Sequence, residues 1–360
     1  MKLQLYKPNQ EKEQKLIDFI STQHSCVNWW IDRIRELEST RLTELQKYYY
    51  KARNKFGLSA VNTQLAMFVA IRLARTFKRH PKETPYIKSY IGSLNDLKID
   101  KGNLGVLIGD GRTWIPFKSQ KIPQGKLKES KIKKVGKKWF CYLSVEIDEP
   151  KTRNFKRTMG VDLGISKIAV TSDWNGRNTV FYRGEPLRRK RQHYYQLRKE
   201  LQSKGKYRTL RKIRKKESNW VTDINHKISR DIVNRAVSQK RSIAVENLSG
   251  IRKRIKGTRK ARRMLHAWSF RQLVSFIEYK ARLAGVAVSA VDPRETSRTC
   301  PKCQYISRSN RKSQERFKCK QCRYESNADR VASMNIAQRA TGLLASPIVS
   351  GQKATAPTSA

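Results

Sequence analysis

The chain has 360 residues, with 79 lysines and arginines against 29 acids, giving a formal net charge of +50 alongside 38% hydrophobic residues. Solubility needs no such surplus, so a polyanionic partner is implied, and bases spread over a whole chain point to nucleic acid. No apolar run approaches 18 residues and the opening MKLQLYKPNQEKEQ lacks the apolar stretch of a secretory signal, so neither a membrane span nor export is expected.

In chain order, KLQLYK alternates like a strand and leads into two stretches with helical apolar spacing. The first carries Leu16, Phe19, Ile20, Val27, Trp30, Ile31 and Ile34; the second carries Leu58, Val61, Leu65, Phe68 and Val69. From about residue 92 the texture changes to short strands punctuated by the turn signals DKGN and GDGR, ending in the alternating WFCYLSVEI. This reads as a small β domain over residues 1–8 and 84–154, interrupted by a helical insertion over 9–83. Cys26 and Cys141 stand alone in apolar surroundings and are expected to be buried free thiols.

A new unit begins near residue 155. Its strands are RTMGVDLG, SKIAVTSD, RSIAVENL and GVAVSAVD, and the last two are separated by a helix from Ser269 to Gly285. Ser269 and Gln272 have capping-box spacing, and Gly285 suits a left-handed stop. Strand pairs followed by strands alternating with helices predict an α/β sheet, over residues 155–296 and 325–343. A basic helical insertion is expected over 186–240: Arg188 to Lys216 holds 14 bases and one acid, Glu200, and Tyr194, Leu197 and Leu201 form an apolar stripe. A second run, Arg252 to Arg263, holds eight bases and no acid. Like charges at helical spacing repel, so phosphate contact is expected at Arg188, Arg189, Lys190, Arg191, Arg211, Lys212, Arg214, Lys215, Lys216, Arg252, Lys253 and Arg254. Residues 344–360 are expected to be a disordered tail.

In so basic a chain, three acids are conspicuous: Asp162 after MGV, Glu246 after SIAV, and Asp329 at the start of the terminal helix. Singly, each could cap a helix or pair with an arginine. Together they fit phosphodiester hydrolysis, in which two Mg²⁺ ions about 4 Å apart activate water and stabilise the attacking and leaving oxygens. GVDLG also resembles the phosphate turn of actin-like ATPases, but ISK follows it instead of threonine and the chain has no internal duplication. Cys300/Cys303 and Cys319/Cys322 are two CxxC pairs separated by 15 residues, the spacing of a tetrahedral Cys₄ site for one structural Zn²⁺, here a ribbon over 297–324. A redox CxxC and an iron–sulfur centre are the alternatives this spacing leaves open. The ribbon's bases, Arg311 among them, could touch nucleic acid.

GVDLGISKIAV, IAVENLSG, DPRETSRTCPKC, the second CxxC and NADRVASMNIA resemble TnpB, the OrfB-type nuclease family of bacterial insertion sequences, relatives of compact type V CRISPR effectors. The resemblance is sharpest over 158–340. It implies a multidomain α/β protein: a split RuvC-like nuclease domain of RNase H type with an inserted Cys₄ zinc ribbon, preceded by a small β-barrel-like wedge domain carrying a helical recognition insertion. It assigns Asp162, Glu246 and Asp329 as catalytic Mg²⁺ ligands, and implies a guide RNA from the transposon end or an equivalent RNA. That RNA would direct Mg²⁺-dependent cutting of double-stranded DNA beside a short flanking motif at one RuvC-like site. No membrane is involved; one chain per complex is favoured, in a prokaryotic cytoplasm alongside the nucleoid. Many relatives have Asn two residues after the last Asp, where this chain has Val331. The competing readings are a guided DNA-binding protein that does not cut, a compact type V effector, and a strand transferase, which would need a further nucleophile.

Overall fold

The computed structural model describes residues 1–6, 8–76, 80–87, 92–108, 111–153, 155–247 and 269–342. Arg252, Lys253 and Arg254 and the tail 344–360 lie outside the described residues. The chain divides into two units, Met1–Asp148 and Glu149–Ala360. The break precedes the textural change near 154 because Arg153 is tied to the second unit: it bridges Val286, and its N–H donates to the Gly285 carbonyl at 2.8 Å.

The first unit runs β1 (Lys2–Gln4), α1 (Gln10–Glu36), α2 (Leu42–Gln46), α3 (Tyr49–Phe56), α4 (Ala60–Thr76), β2 (Gly92–Leu94), β3 (Lys98–Asp100), β4 (Asn103–Ile108), β5 (Gly111–Pro116), β6 (Lys126–Val135) and β7 (Lys138–Glu146). Asn9 caps α1, its side chain accepting from the Lys12 N–H. One sheet has the order β1-β7-β6-β2 and the other β3-β4-β5, so the first strand pairs with the last across the intervening helices. Leu16, Trp30 and Ile31 of α1 share one core with Leu3, Leu94 and Trp139 of the strands, so the helices have no separate core of their own. Cys26 and Cys141 are buried free thiols in that core, and burial pushes both up to about 12. Among the described residues no single helix is long and apolar enough to cross a membrane; the pair α3 and α4, bent by 115°, passes on length and composition, but α4 packs Ala66, Met67 and Ala70 into the core.

The second unit contains β8 (Arg157–Asp162), β9 (Lys167–Asp173), β10 (Val180–Arg183), α5 (Glu185–Ser203), α6 (Tyr207–Ile213), α7 (Lys216–Ser238), β11 (Arg241–Glu246), α8 (Phe270–Leu283), β12 (Val288–Val291), β13 (Arg316–Lys318), β14 (Glu325–Asn327) and α9 (Ala328–Ala340). A five-stranded sheet has the order β10-β9-β8-β11-β12, antiparallel on the β10, β9, β8 side and parallel from β8 through β11 to β12. The central strands are nearly continuous buried runs because both faces are covered, as parallel strands require. On one face Met159, Val161, Ile243 and Val245 meet Ile228 and Ile232 of α7 and Leu273 and Ile277 of α8. The opposite face takes α9. Its approach is close enough to demand glycine: a Cβ on Gly160 would stand 2.0 Å from the Ser333 carbonyl oxygen and 2.6 Å from the Ala337 nitrogen.

The start of α8 departs from the sequence expectation. Ser269 occupies the cap position without a capping bond; its hydroxyl and the side-chain oxygen Oε1 of Gln272 both accept from Asn225 Nδ2, at 2.9 and 2.8 Å. Asn225 of α7 is buried and must place both amide hydrogens, so the pair that could have closed a capping box instead ties α8 to α7. Gly285 has the expected left-handed conformation, with φ +66°.

Candidate active site

Asp162 ends β8 and Glu246 ends β11, and these strands are parallel neighbours with Val161 opposite Val245. Side chains alternate faces along a strand, so the residues after this pair share the Gly160 face, which α9 covers. Asp329 sits in the first turn of α9. The three carboxylates therefore border one cavity of about 220 Å³ at the carboxyl edge of the parallel strands, shared with Lys167, Thr296 and Arg311. Ligands in open α/β sheets gather at this edge.

Burial, reinforced by the charges of Glu246 and Asp329, pushes Asp162 well above the ordinary carboxylate range. Burial also raises Glu246, opposed by a hydrogen bond from Thr296, whose hydroxyl donates to Glu246 Oε1 at 2.6 Å. Asp329 is raised by burial and opposed by the guanidinium of Arg311, 3.6 Å away. Three acids thus line one cavity in an otherwise basic protein, with Lys167 and Arg311 on its wall and the charge of Arg339 also acting on Glu246. Hard oxygen donors suit divalent cations such as Mg²⁺. Among the described residues the four cysteines are the only group of three or more whose ligand atoms all lie within 4.8 Å of one another.

The ribbon sets the position of Asp329. Antiparallel β13 and β14 run directly into α9, and Asn327, the last residue of β14, accepts from the N–H groups of Asp329 and Arg330 at 3.0 and 3.2 Å. Each knuckle closes in the same way, with Cys300 N–H on the Tyr305 carbonyl and Cys319 N–H on the Tyr324 carbonyl, and with left-handed Gln304 and Arg323 at φ +60°. The sulfur pairs Cys300/Cys322 and Cys303/Cys319 are each 3.5 Å apart. That is far beyond a disulfide and near the ~3.8 Å edge of a tetrahedron with Zn–S about 2.3 Å, so the cluster is compatible with structural zinc. A backbone hydrogen bond from Tyr324 lowers Cys322 to about 7, while burial raises Cys300 to about 12. Val331 is buried in the small core under the knuckles with Phe317 and Cys300.

Several residues were invisible as site members in the sequence. Arg311, grouped there with the ribbon's free bases, is turned toward Asp329. Its Nη2 also donates to the Gln314 carbonyl at 3.2 Å, and buried Asn310 beside it ties the ribbon together, donating to the Arg298 and Tyr305 carbonyls and accepting from Lys320 N–H. Asn335, fully buried, donates to the carbonyls of Thr296 and Thr299 at 2.7 Å each and so holds the loop that presents Thr296 to Glu246. TSRTC immediately before the first knuckle was the one available signal.

Of the expected phosphate contacts, Arg188, Arg189 and Lys190 on α5, Arg211 and Lys212 on α6, Arg214 and Lys215 between α6 and α7, and Lys216 opening α7 are exposed. Arg191 differs from these: its side chain is 18% exposed and faces Glu217 at 3.9 Å, beside the Arg198–Glu217 pair at 2.7 Å. It fastens α5 to α7 because Glu217 is the acid within reach of both helices. Tyr194, Leu201 and Ile213 form the apolar cluster beneath.

Three convergent carboxylates at a sheet edge beside a four-cysteine ribbon define the class, a two-part α/β domain built around one acidic cleft. Residues 142–252 match the family described as "Probable transposase" and residues 270–336 match "Cas12f1-like, TNB domain". A TnpB-like protein of Methanocaldococcus jannaschii is 31% identical over 194 residues, covering 51% of this chain and 69% of that protein. The chain belongs to the TnpB family. It is also 31% identical over 217 residues to the CRISPR-associated endodeoxyribonuclease Cas12f1 of Sulfoacidibacillus thermotolerans, covering 56% of this chain and 50% of that one. The putative RNA-guided DNA endonuclease InsQ of Escherichia coli K12 is 26% identical over 272 residues, with 69% and 65% covered. The chain thus spans about half the length, or less, of the first curated relatives it matches. A solved Cas12f1–sgRNA–target DNA complex aligns over 94% of this chain and 98% of that one, at 17% identity and a TM-score of 0.43.

Proposed function

We propose that the protein is an RNA-guided DNA endonuclease of TnpB type, cutting double-stranded DNA beside a short flanking motif at one RuvC-like site. The observation that carries this reading is the meeting of Asp162, Glu246 and Asp329 around one cavity. The strand order, with its antiparallel edge and three parallel strands, supports a split RuvC-like domain over 155–296 and 325–343. Asp162, Glu246 and Asp329 would hold two Mg²⁺ ions. A divalent pair held there would lower the pKa of an attacking water and would offset the charge on the attacking and leaving oxygens. Thr296 orients Glu246, and Arg311 is placed to balance phosphate charge entering beside Asp329. The four cysteines would hold one Zn²⁺, and with no position left open for a water its role would be architectural. The sheets and helices of the first unit serve as wedge and recognition elements, and the exposed bases of α5 to α7 hold nucleic-acid backbone. Delegating sequence to base pairing suits such motif-poor basic surfaces. The site of action is the prokaryotic cytoplasm, at the nucleoid.

The test is cleavage of a matched duplex by the purified protein with its copurifying RNA and Mg²⁺. Wild type should cut, and Asp162→Ala should bind the same duplex without cutting. If both bind and neither cuts across a library of flanking motifs, the guided binding protein is the correct reading.

A further inference from the structure

The edge of the sheet opposite the carboxylates gathers charge of the other sign. Arg157 opens β8 and Arg241 opens β11, and the two are direct partners in the parallel ladder. Like charges facing each other across strands are unfavourable. Asp173, ending β9, offsets one of them: it meets Arg241 at 3.0 Å, both side chains buried, yet Asp173 Oδ1 and Arg241 Nε have no hydrogen-bond partner. Arg177, on the turn joining β9 to β10, adds a third guanidinium. Among the described residues no acid pairs with Arg157 or Arg177. Together with Trp174 and Asn178 these residues surround a cavity of about 350 Å³. One acid among three arginines leaves it anion-seeking.

The turn is also held still. Gln338 donates to the Trp174 carbonyl at 2.9 Å, and Arg330 donates to the Gly176 carbonyl at 2.8 Å, so α9 grips the turn at two points. Trp174 is nevertheless 46% exposed. An exposed tryptophan on a backbone-anchored turn, beside unpaired guanidinium groups, combines the two elements that bind single-stranded nucleic acid, a charged seat for the backbone and a stacking platform for a base.

We infer that this cavity is a second nucleic-acid site, distinct from the acidic cleft, in which Arg157, Arg177 and Arg241 take a phosphodiester and Trp174 stacks the adjoining unpaired base. The six residues of β8 separate it from Asp162 by about 17 Å. A purely structural lock would need Arg241 and Asp173 alone and gives no reason for Arg157, Arg177 and an open tryptophan to share the cavity. The inference rests on the proposed role in nucleic-acid binding and adds where a single strand is held.

The experiment uses the full chain with two fluorescent probes, a 12-nucleotide oligouridylate and the matching oligothymidylate, followed by ultraviolet cross-linking of a 5-bromouridine-substituted oligouridylate. Arg157→Gln with Arg177→Gln should weaken binding about tenfold or more and flatten its salt dependence. Trp174→Ala should weaken it roughly fivefold or more. Both substituted arginines are exposed, so the melting temperature should hold or rise as the facing charges are relieved. The cross-linked peptide should contain Trp174. Tighter binding of oligouridylate assigns the site to the RNA, and tighter binding of oligothymidylate assigns it to a DNA strand; either outcome upholds it. The inference is overturned if wild type binds and the variants bind equally well, with cross-links elsewhere, and guided cleavage by wild type in that case leaves the nuclease reading standing. Failure of wild type to bind either probe overturns this site alone, because guided cleavage of the matched duplex with the copurifying RNA tests the nuclease reading separately.

Discussion

At the scale of single residues, the acids of the cleft are held against their own preference. A carboxyl whose pKa is raised on folding retains its proton longer in the folded than in the unfolded chain, so stability falls as pH rises from the unfolded value toward the folded one. At neutral pH Asp162, Glu246 and Asp329 therefore cost stability until a cation balances them. Asp162→Asn should melt higher than wild type in chelator, and Mg²⁺ should raise the melting temperature of wild type well above any effect on the variant. Equal Mg²⁺ responses in calorimetry would show that the ion does not bind at Asp162. Lys280 of α8 has the opposite sign of problem. Its ammonium donates to the His226 carbonyl and the Ser229 hydroxyl at 2.6 Å each, yet burial, with Arg230 nearby, lowers it to about 8. Between that value and the ordinary lysine value near 10.5 the unfolded chain binds the extra proton, so this residue's contribution to stability grows with pH. Urea titrations at pH 7, 8.5 and 10 should show wild type gaining on Lys280→Met; a constant gap would refute the account.

At the scale of elements, the ribbon and α9 act as one device. The knuckles fix β13 and β14, β14 ends in the residue that caps α9, and the capped turn carries Asp329. Cys319→Ser should reduce bound zinc, lower the melting temperature and cut cleavage, because displacing a ligand by about 1 Å can cost two orders of magnitude in rate. Metal analysis showing unchanged zinc would remove the ribbon from this chain of causes. The cysteine spacing made the ribbon legible beforehand, since two tight knuckles are local features. Arg311 was legible only as one more base, because the acid it faces lies 18 residues further on, at the far side of the second knuckle. The capping pair on α8 failed for a related reason: a buried amide on another helix competed for its oxygens and won.

At the scale of the whole molecule, the +50 charge is the dominant physical fact. A surface that binds by neutralising phosphates releases counterions, so affinity for RNA should fall on the order of a thousandfold or more between 50 and 200 mM salt. A flat salt profile would contradict backbone-dominated binding. The bases are also organised internally. Arg191 was drawn from the exposed set into a helix–helix contact with Glu217, and Arg241 into the wall of a cavity, which no count of charges along the chain distinguishes.

The sequence alone determined what periodicity, spacing and local chemistry can carry: the long amphipathic helices, four of the five strands of the second unit's sheet (the short edge strand Val180–Arg183 carries too little pattern to be read), the metal-ligand knuckles and the placing of three acids, two after apolar runs and one at the start of the terminal helix. Only the tertiary structure decided which side chains meet. Asp162 and Glu246 lie 84 residues apart in order yet adjoin because their strands are parallel and in register, and Asp329 joins them because a glycine lets its helix lie against the sheet. Contact between distant residues follows from strand order and packing, and neither is written in the residues immediately around an acid.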